Sequence, residues 1–218
     1  MELVLRYENI ITDSQKMILI YLIIGATVYV SYQAFEDKRL FSKLLYNPYI
    51  VNKDKQYYRL LSHTLVHSDW GHLIFNMLTL YFFAETSYNY LNSYIGKGAF
   101  FFMLLYVAGA AVASLPSLFQ HKNHSWYNAV GASGAVSAVL FSTIFFDPWV
   151  GIMFFFIPVP IPGFVFGLIY LVASSYMNKK GGDNVAHEAH IAGGIFGFLF
   201  PMLIKPELYQ VFLAQLLS

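Results

Sequence analysis

The sequence predicts an all-α membrane protein with six membrane-spanning helices, on the evidence of its composition, its aromatic content and its apolar segments. Of its 218 residues, 57% are hydrophobic and 11% are charged, whereas a soluble domain carries about 25% charged residues. Aromatic residues make up 19% of the chain, which suits lipid contact and an aromatic belt at the membrane surface. Too few polar residues remain to cover a water-soluble globule, so we expect a lipid bilayer around the chain.

Six apolar segments approach the length with which a helix crosses the hydrocarbon core, about 20 residues. The fourth segment is only about 24 Å long at about 1.5 Å per residue, so we expect one of its ends to lie below the membrane surface. No repeat or linker is visible, and residues 1–218 are predicted to form a single domain. The predicted spans are 17–34, 71–88, 99–118, 131–146, 164–177 and 186–204.

Two connecting segments have a distinctive composition. The polar stretch between the first two spans contains aromatic residues and apolar pairs, which predicts a structured first loop. The segment DPWVGIMFFFIPVPIPG, between the fourth and fifth spans, contains four prolines. Because each proline lacks an N–H and disfavours helix before it, we predict an interfacial loop there.

Charge and cysteine content exclude several classes of function. The formal net charge is +1, so no large field of one sign would attract nucleic acid, and we expect no nucleic-acid partner. The chain has no cysteine, which excludes disulfides and thiolate metal ligands. Any side-chain nucleophile of the acyl-transfer type must therefore be an oxygen.

A few polar residues fall inside the predicted spans, where their cost points to a functional site or a buried partner. His72 and Asn76 are four residues apart at the head of the second span, and therefore share one helical face. Glu85 lies further along the same span. The fourth span opens with Ser133 and Ser137, and the sixth opens with Glu188 and His190.

Small residues at helical spacing predict close helix packing in the fourth and sixth spans. The fourth span carries Gly134, Ala138 and Ser142 at intervals of four, and the sixth carries Gly193 and Gly197. Such stripes occur in membrane helices of any function. Their interest here is that Ser133 and His190 lie beside them.

Peptide hydrolysis requires an oxygen nucleophile, a base within hydrogen-bond reach and donors for the developing oxyanion. Ser133 lies in the segment GASGA, whose small residues leave its hydroxyl open. This segment fits the GxSxG pattern, but that pattern marks a strand-to-helix turn in soluble hydrolases, and no strand pattern precedes it here. Alone, Ser133, His190 and Asn76 each also fit helix packing or a buried hydrogen bond. Their combination favours a hydrolytic site.

Four motifs, in order, resemble the rhomboid family of intramembrane serine proteases over about residues 58 to 197. The segment YYRLLSHTLVHSDWGHLIFN resembles the region leading into the family's second span, with its aromatic–Arg pair and its HxxxN. YIGKGAFFFMLLYVAGA resembles the start of the third span. GASGA is similar to the nucleophile motif, and AHIAGGIFG matches the AHxxGxxxG of the sixth span.

The resemblance implies an endopeptidase that cleaves transmembrane segments of membrane proteins without cofactor or metal. It implies a Ser133–His190 dyad with no third carboxylate, and an oxyanion site made by the Ser133 backbone N–H with the His72 and Asn76 side chains. His63 and His67 match further positions, to which we assign structural roles, as we do to Glu85. The implied location is a bacterial-type inner membrane, with the site opening to the outer side; the oligomeric state is left open.

Two features depart from the family pattern. Many members carry a Tyr one turn after the nucleophile, stacked on the catalytic His, whereas this chain has Ser137 there. Another group must then orient His190, and His187, Tyr127 or a neighbouring span are the candidates. With a cytoplasmic N terminus, nine of the thirteen basic residues fall on the outer side, against the positive-inside tendency. We keep the family orientation because six of the nine lie in the first loop.

Three other functions compete with this interpretation. A membrane metal hydrolase is suggested by His63 and His67 and by the segment HEAH, but a zincin requires HExxH, and His187 and His190 are only three apart. An inactive rhomboid-like protein that binds and escorts membrane proteins would also need the small-residue stripes, although it has no use for a Ser–His pair. A transporter is disfavoured because few charged residues lie within the spans.

Overall fold

The computed structural model describes residues 2–154, 157–181 and 185–217, with side chains from residue 16 onward except at 154, 157 and 158. This part of the chain is mostly helical. It contains two 3-10 turns, His63–Leu65 and Pro206–Leu208, and two short strands, β1 (Gly151–Phe154) and β2 (Ile157–Pro162). The α-helices are α1 (Glu2–Glu36), α2 (Lys38–Leu44), α3 (Pro48–Asp54), α4 (Arg59–Ser62), α5 (Trp70–Tyr94), α6 (Gly98–His121), α7 (Ser133–Phe146), α8 (Gly163–Lys180), α9 (His187–Ile204) and α10 (Tyr209–Leu216).

Among the described residues, three helices are long and apolar enough to cross a membrane, and α7 is a shorter apolar helix. The three are Lys16–Glu36 of α1, α6 and α9. Each of the six apolar segments found in the sequence coincides with a helix, so their helical state is confirmed. Hydropathy underestimates α5, which continues past residue 88 to Tyr94. Tyr90 and Tyr94 both stack on Phe146, and this packing extends the helix through a polar stretch.

The central element is α7, which is buried at every position from Gly134 to Phe146. It packs against α5, α6 and α9. A Cβ on Gly193 would overlap the carbonyl of Gly134, and a Cβ on Gly197 would overlap the backbone of Ala138. The predicted close approach of the two small-residue stripes is therefore confirmed, and it brings α7 and α9 into backbone contact.

The first loop is structured, as predicted, and local capping accounts for its helices. Asp37 accepts hydrogen bonds from the first N–H groups of α2, and Asn47 caps α3 ahead of Pro48. The buried Arg59 guanidinium donates to the carbonyls of Ser42 and Leu45, over 2.9 and 2.6 Å. Arg59 therefore joins α4 to the last turn of α2 and to the residue that follows it.

The prediction of an all-α chain is wrong in one detail, which lies in the predicted interfacial loop between the fourth and fifth spans. β1 and β2 form an antiparallel ribbon in this segment, with Gly151 opposite Pro162 and Ile152 opposite Ile161. The prolines of β2 occupy alternate positions, so all their missing N–H groups fall on one side of the strand. In a two-stranded ribbon, each strand has one edge that pairs with no other strand, and proline is tolerated on that edge.

A hydrogen-bonded ion pair joins α1 to α5 away from the first loop. Lys16 Nζ lies 3.0 Å from Glu85 Oε1 and 3.3 Å from Asn89 Oδ1. Lys16 is 5% exposed, so its charge requires such partners. These contacts support the structural role assigned to Glu85.

Candidate active site

Ser133 and His190 lie at the start of two helices and are in contact. Ser133 is the first residue of α7, and its Oγ is 2.9 Å from Nε2 of His190 in the first turn of α9. Gly134 follows Ser133, and Gly193 lies one turn after His190. Because these two glycines bring the backbones of α7 and α9 together, the two side chains meet at the helix ends.

The loop before Ser133 has a conformation that requires glycine. Gly131 has φ +106°, and a Cβ there would lie 2.6 Å from the ring Nε2 of His72. The Gly131 N–H donates to the His63 carbonyl over 3.0 Å, and the Ala132 N–H donates to His67 Nε2 over 3.3 Å. The first loop therefore determines the position from which α7 begins.

His67 connects α1 to this loop through a defined hydrogen-bond chain. The Ser31 hydroxyl donates to the Leu65 carbonyl over 2.9 Å and therefore accepts from His67 Nδ1, also at 2.9 Å. Nδ1 then carries the ring hydrogen, and Nε2 is the acceptor for Ala132 N–H. Burial lowers the pKa of His67 to about 3, which keeps the ring in the neutral state that this chain needs.

His63 is neutral for the same reason. Its side chain is buried, which lowers its pKa to about 4, and its Nε2 lies 2.9 Å from the Ser114 hydroxyl of α6. Ser114 donates its hydrogen to the Ala110 carbonyl, so His63 Nε2 is the donor in this pair. These contacts support structural roles for His63 and His67 and leave neither nitrogen of His67 for a metal.

The N terminus of α7 can supply backbone donors to a ligand. No side chain caps this end, and the bond that closes its first turn runs from the Val136 N–H to the Ala132 carbonyl. The N–H groups at the start of a helix have no acceptor within the helix, and the helix dipole makes this end attractive to an anion. The Ser133 N–H belongs to this group.

His72 and Asn76 lie on one face of α5 and line the same cavity as Ser133 and His190. Asn76 Nδ2 donates one hydrogen to the His72 carbonyl over 2.9 Å, and an amide nitrogen has a second hydrogen to donate. His72 Nδ1 lies 3.1 Å from Ser68 Oγ, which is 2.7 Å from Asp69 Oδ2. The Ser68 hydroxyl donates to Asp69 Oδ2 and therefore accepts from His72 Nδ1, so a neutral His72 carries its hydrogen on Nδ1 in this arrangement.

The cavity has a polar part and an apolar part. Its polar lining comes mainly from loops and helix ends, and its apolar lining comes from α5, α7, α8 and β1. Its polar lining includes Ser68, Asp69, His72, Asn76, Asn128, His187, Glu188 and His190. Its apolar lining includes Phe75, Phe82, Val136, Leu140, Ile152 and Phe166.

The group stacked on His190 comes from a neighbouring span, which was one of the three alternatives, but the residue itself was not identified in the sequence. The ring of Tyr170, on α8, is stacked on the His190 ring with centroids 5.9 Å apart and planes 27° apart. Its hydroxyl is 2.6 Å from the Ser137 hydroxyl. The sequence of α8 did contain an indication of this contact. Gly163 and Gly167 are four residues apart, and Tyr170 lies three residues further along on the same helical face.

The two named candidates for orienting His190 have different contacts. His187 meets the His190 ring edge-on, with centroids 5.8 Å apart. Tyr127 instead donates to Glu188 over 2.7 Å, and Ser117 donates to the same carboxylate oxygen over 2.8 Å. Burial raises the pKa of Tyr127, which keeps its hydroxyl a donor. Glu188 thus joins α9 to α6 and to the loop before α7, on a side away from His190.

Comparison with known proteins identifies the family of this chain. The family described as Rhomboid domain matches residues 54–207. "Rhomboid protease GlpG" of Haemophilus influenzae is 26% identical over 197 residues, which cover 88% of this chain and 93% of that protein. "RHOMBOID-like protein 12, mitochondrial" of Arabidopsis thaliana is 25% identical over 201 residues, which cover 83% of this chain but only 56% of the plant protein. The chain belongs to the rhomboid family.

Proposed function

We propose that this chain is an intramembrane serine endopeptidase that cleaves transmembrane segments of membrane proteins. The observation that carries the proposal is the 2.9 Å contact between Ser133 Oγ and His190 Nε2, at one end of a cavity that continues between two helices. Family membership supports the same class of reaction. The bacterial relative is named a protease, whereas the plant relative is named only as rhomboid-like.

In the proposed reaction, Ser133 is the nucleophile and His190 is the general base. The Ser133 oxygen attacks the carbonyl carbon of the scissile peptide, and its proton passes to Nε2 of His190. When the C–N bond breaks, the nitrogen leaves with the electron pair and takes this proton, and an acyl-enzyme remains. His190 then takes a proton from water, whose oxygen attacks the acyl carbon; the bond to the Ser133 oxygen breaks, and that oxygen leaves with the electron pair and takes the proton back from His190.

Three donors are proposed for the oxyanion of the tetrahedral intermediate. They are the Ser133 backbone N–H, the second amide hydrogen of Asn76, and Nε2 of His72. The unpaired N–H groups at the start of α7 support the first. For His72 to serve, the Ser68 hydroxyl must turn from Asp69 and donate to His72 Nδ1, since a neutral ring then has its hydrogen on Nε2.

The substrate is proposed to enter from the lipid between α5 and α8. This side of the cavity is lined by apolar side chains, including Phe82, Val136 and Phe166, which suit a transmembrane segment. The polar side chains near Ser133 and His190 suit a backbone that has unwound from a helix, because its exposed N–H and C=O groups require partners. No metal or other cofactor has a part in this reaction.

Family membership and the apolar helices make this an integral membrane protein. We further propose six spans, which adds α5, α7 and α8 to the three helices of sufficient length and hydropathy, within a single domain over 1–218. The N terminus is placed on the cytoplasmic side, and the dyad opens to the outer side. A bacterial-type inner membrane is supported by the bacterial relative, while the plant relative bears a mitochondrial name.

The decisive experiment compares wild type with Ser133→Ala and His190→Ala in proteoliposomes, on a panel of single-pass membrane proteins. We expect wild type to cleave at least one substrate and to be labelled by a fluorophosphonate, and both variants to lose each activity. Ser142→Ala is the matched control, because Ser142 lies on the same helix, is buried and is remote from His190. Cleavage by Ser133→Ala would refute the dyad. A wild type that binds these substrates without cleavage or labelling would support the binding and escort function.

A further inference from the structure

We propose that Tyr170 is a positioning residue that holds the His190 ring in its reactive orientation, and that Ser137 in turn holds Tyr170. This inference rests on the proposed function, since it assigns Tyr170 no chemistry of its own. It explains how this chain works with a serine one turn after the nucleophile. The aromatic ring comes from α8 instead of α7.

The first step of the argument is the geometry of the three side chains. The rings of Tyr170 and His190 are 5.9 Å apart between centroids and 27° apart between planes, within the range of offset stacking. Stacking covers a face of the imidazole and leaves its edge, with both nitrogens, in the plane of proton transfer. Nε2 is therefore directed to Ser133 Oγ, at 2.9 Å, while rotation of the ring is restricted.

The second step concerns the charge that appears on His190. When Nε2 takes the Ser133 proton, the ring becomes a positively charged imidazolium. An aromatic face attracts a cation, so the Tyr170 ring favours the protonated state that forms during attack. A leucine would keep an apolar side chain at this position but would lack this attraction.

The third step is that Tyr170 is itself fixed. Its hydroxyl is 2.6 Å from Ser137 Oγ, which is 3% exposed. Its ring packs against Phe141 at 5.6 Å and Phe166 at 5.9 Å between centroids. One turn before it, Gly167 allows α8 to approach the Phe141 ring. The ring is thus held from α7 and from its own helix.

The arrangement has a structural consequence. Ser133 lies on α7, His190 on α9, and the ring that orients the base on α8, which also forms one wall of the cavity between α5 and α8. The orientation of His190 therefore depends on the docking of α8 against α7. A change in the position of α8 would affect the base as well as the width of the cavity.

The test uses full-length protein in proteoliposomes and measures kcat, KM and the rate of fluorophosphonate labelling. We expect Tyr170→Leu to lower kcat and the labelling rate about 10-fold or more, which corresponds to about 1.4 kcal/mol, with KM within about 2-fold. Tyr170→Phe keeps the ring and should lose only about 2- to 5-fold, as for one hydrogen bond. Tyr176→Leu, at a 64% exposed position of the same helix, is the matched control and should behave as wild type.

A double-mutant cycle tests the role of Ser137. If Ser137 acts by holding the Tyr170 hydroxyl, Ser137→Ala combined with Tyr170→Phe should lose no more activity than the stronger single variant. If Tyr170→Leu does not fold, the cycle still tests the Ser137 contact, and a loss well beyond about 5-fold in Tyr170→Phe, which keeps the ring, would still contradict the role given to the ring.

Three results would overturn the proposal. They are an undiminished kcat in Tyr170→Leu, a loss confined to KM, or a loss in Tyr170→Phe as large as in Tyr170→Leu. If the losses of kcat in the two single variants multiply in the double variant, Ser137 does not act by holding Tyr170. A wild type that neither cleaves nor is labelled would instead refute the proposed function, so the two failures are distinguishable.

Discussion

The loop that precedes Ser133 and the ring of His190 are held in place by different means. On the first-loop side, Gly131 and Ala132 donate to His63 and His67, which are both buried and hydrogen-bonded to helices beyond. On the α8 side, the principal contact with His190 is the stacked ring of Tyr170. The first side relies on directional polar contacts of backbone groups, and the second on packing between helices.

This difference indicates how each side should respond to change. A buried polar network fails when one member is lost or misplaced, because the remaining groups are left without partners. A packed interface with flexible side chains adjusts by small shifts. We therefore expect the nucleophile side to be sensitive to conservative substitutions and the α8 side to tolerate them, as long as the stacked ring is kept.

The largest effect is expected from Gly131→Ala on the first-loop side. A Cβ would overlap the His72 ring at a residue with φ +106°, and such a backbone conformation costs about 1–3 kcal/mol for a residue other than glycine. We expect kcat to fall at least about 100-fold, since a displaced loop moves both Ser133 and the oxyanion donors. Cleavage and fluorophosphonate labelling measure this. Near-normal labelling would show that the loop does not set the position of Ser133.

An intermediate effect is expected from acid, again through the first loop. His67 and His63 have folded pKa values of about 3 and about 4, below the value of about 6.5 in an unfolded chain. Between these values the unfolded chain binds more protons than the folded chain. The contribution of the two histidines to the free energy of unfolding is therefore fully present above about pH 6.5 and falls as the pH drops towards 4. The slope is at most about 1.4 kcal/mol per pH unit for each histidine.

Thermal unfolding of the purified protein at several pH values between 7 and 4 checks this prediction. His67→Gln, whose amide can still donate to Ser31 and accept from Ala132, should have a shallower slope than wild type. His124→Gln, at an exposed position, is the control and should keep the wild-type slope. An equal slope in wild type and His67→Gln would mean that His67 already binds a proton when folded.

The smallest effect is expected from Gly167→Ala on the α8 side. The added Cβ would lie 3.3 Å from the ring of Phe141, and a side-chain ring can shift by the few tenths of an ångström required. We expect kcat within about 3-fold of wild type, a change of less than about 1 kcal/mol. A loss as large as that of Gly131→Ala would show that the α8 side is as rigid as the first loop, and would remove the contrast.

Much of this molecule could be predicted from local sequence. The apolar segments located the six long helices. A helix that is buried in lipid or, like α7, among other helices requires a continuous apolar stretch. Gly134, Gly193 and Gly197 predicted the contact of α7 with α9, since small residues at helical spacing have few other uses in a membrane helix. The pairing of Ser133 with His190 was predicted from the groups that peptide hydrolysis requires and from the resemblance to the rhomboid family.

The remaining features arise from contacts between residues far apart in the chain. Periodicity could not show that Tyr90 and Tyr94 extend α5 by stacking on Phe146, or that two proline-rich stretches pair as a ribbon. It placed Ser137 and Tyr170 on separate helices with no indication that they meet. Each of these contacts depends on how elements are oriented about each other, which a local pattern does not contain.

By itself, the sequence determined which segments are helical, which helices approach closely, and which serine and histidine meet. Only the tertiary structure decided how that pair is held, through His67 on one side and Tyr170 on the other. The physical reason is that apolar length and small-residue spacing are properties of a single segment. A hydrogen-bond chain from α1 to the loop before α7, or a ring of α8 stacked on α9, exists only when several segments have packed together.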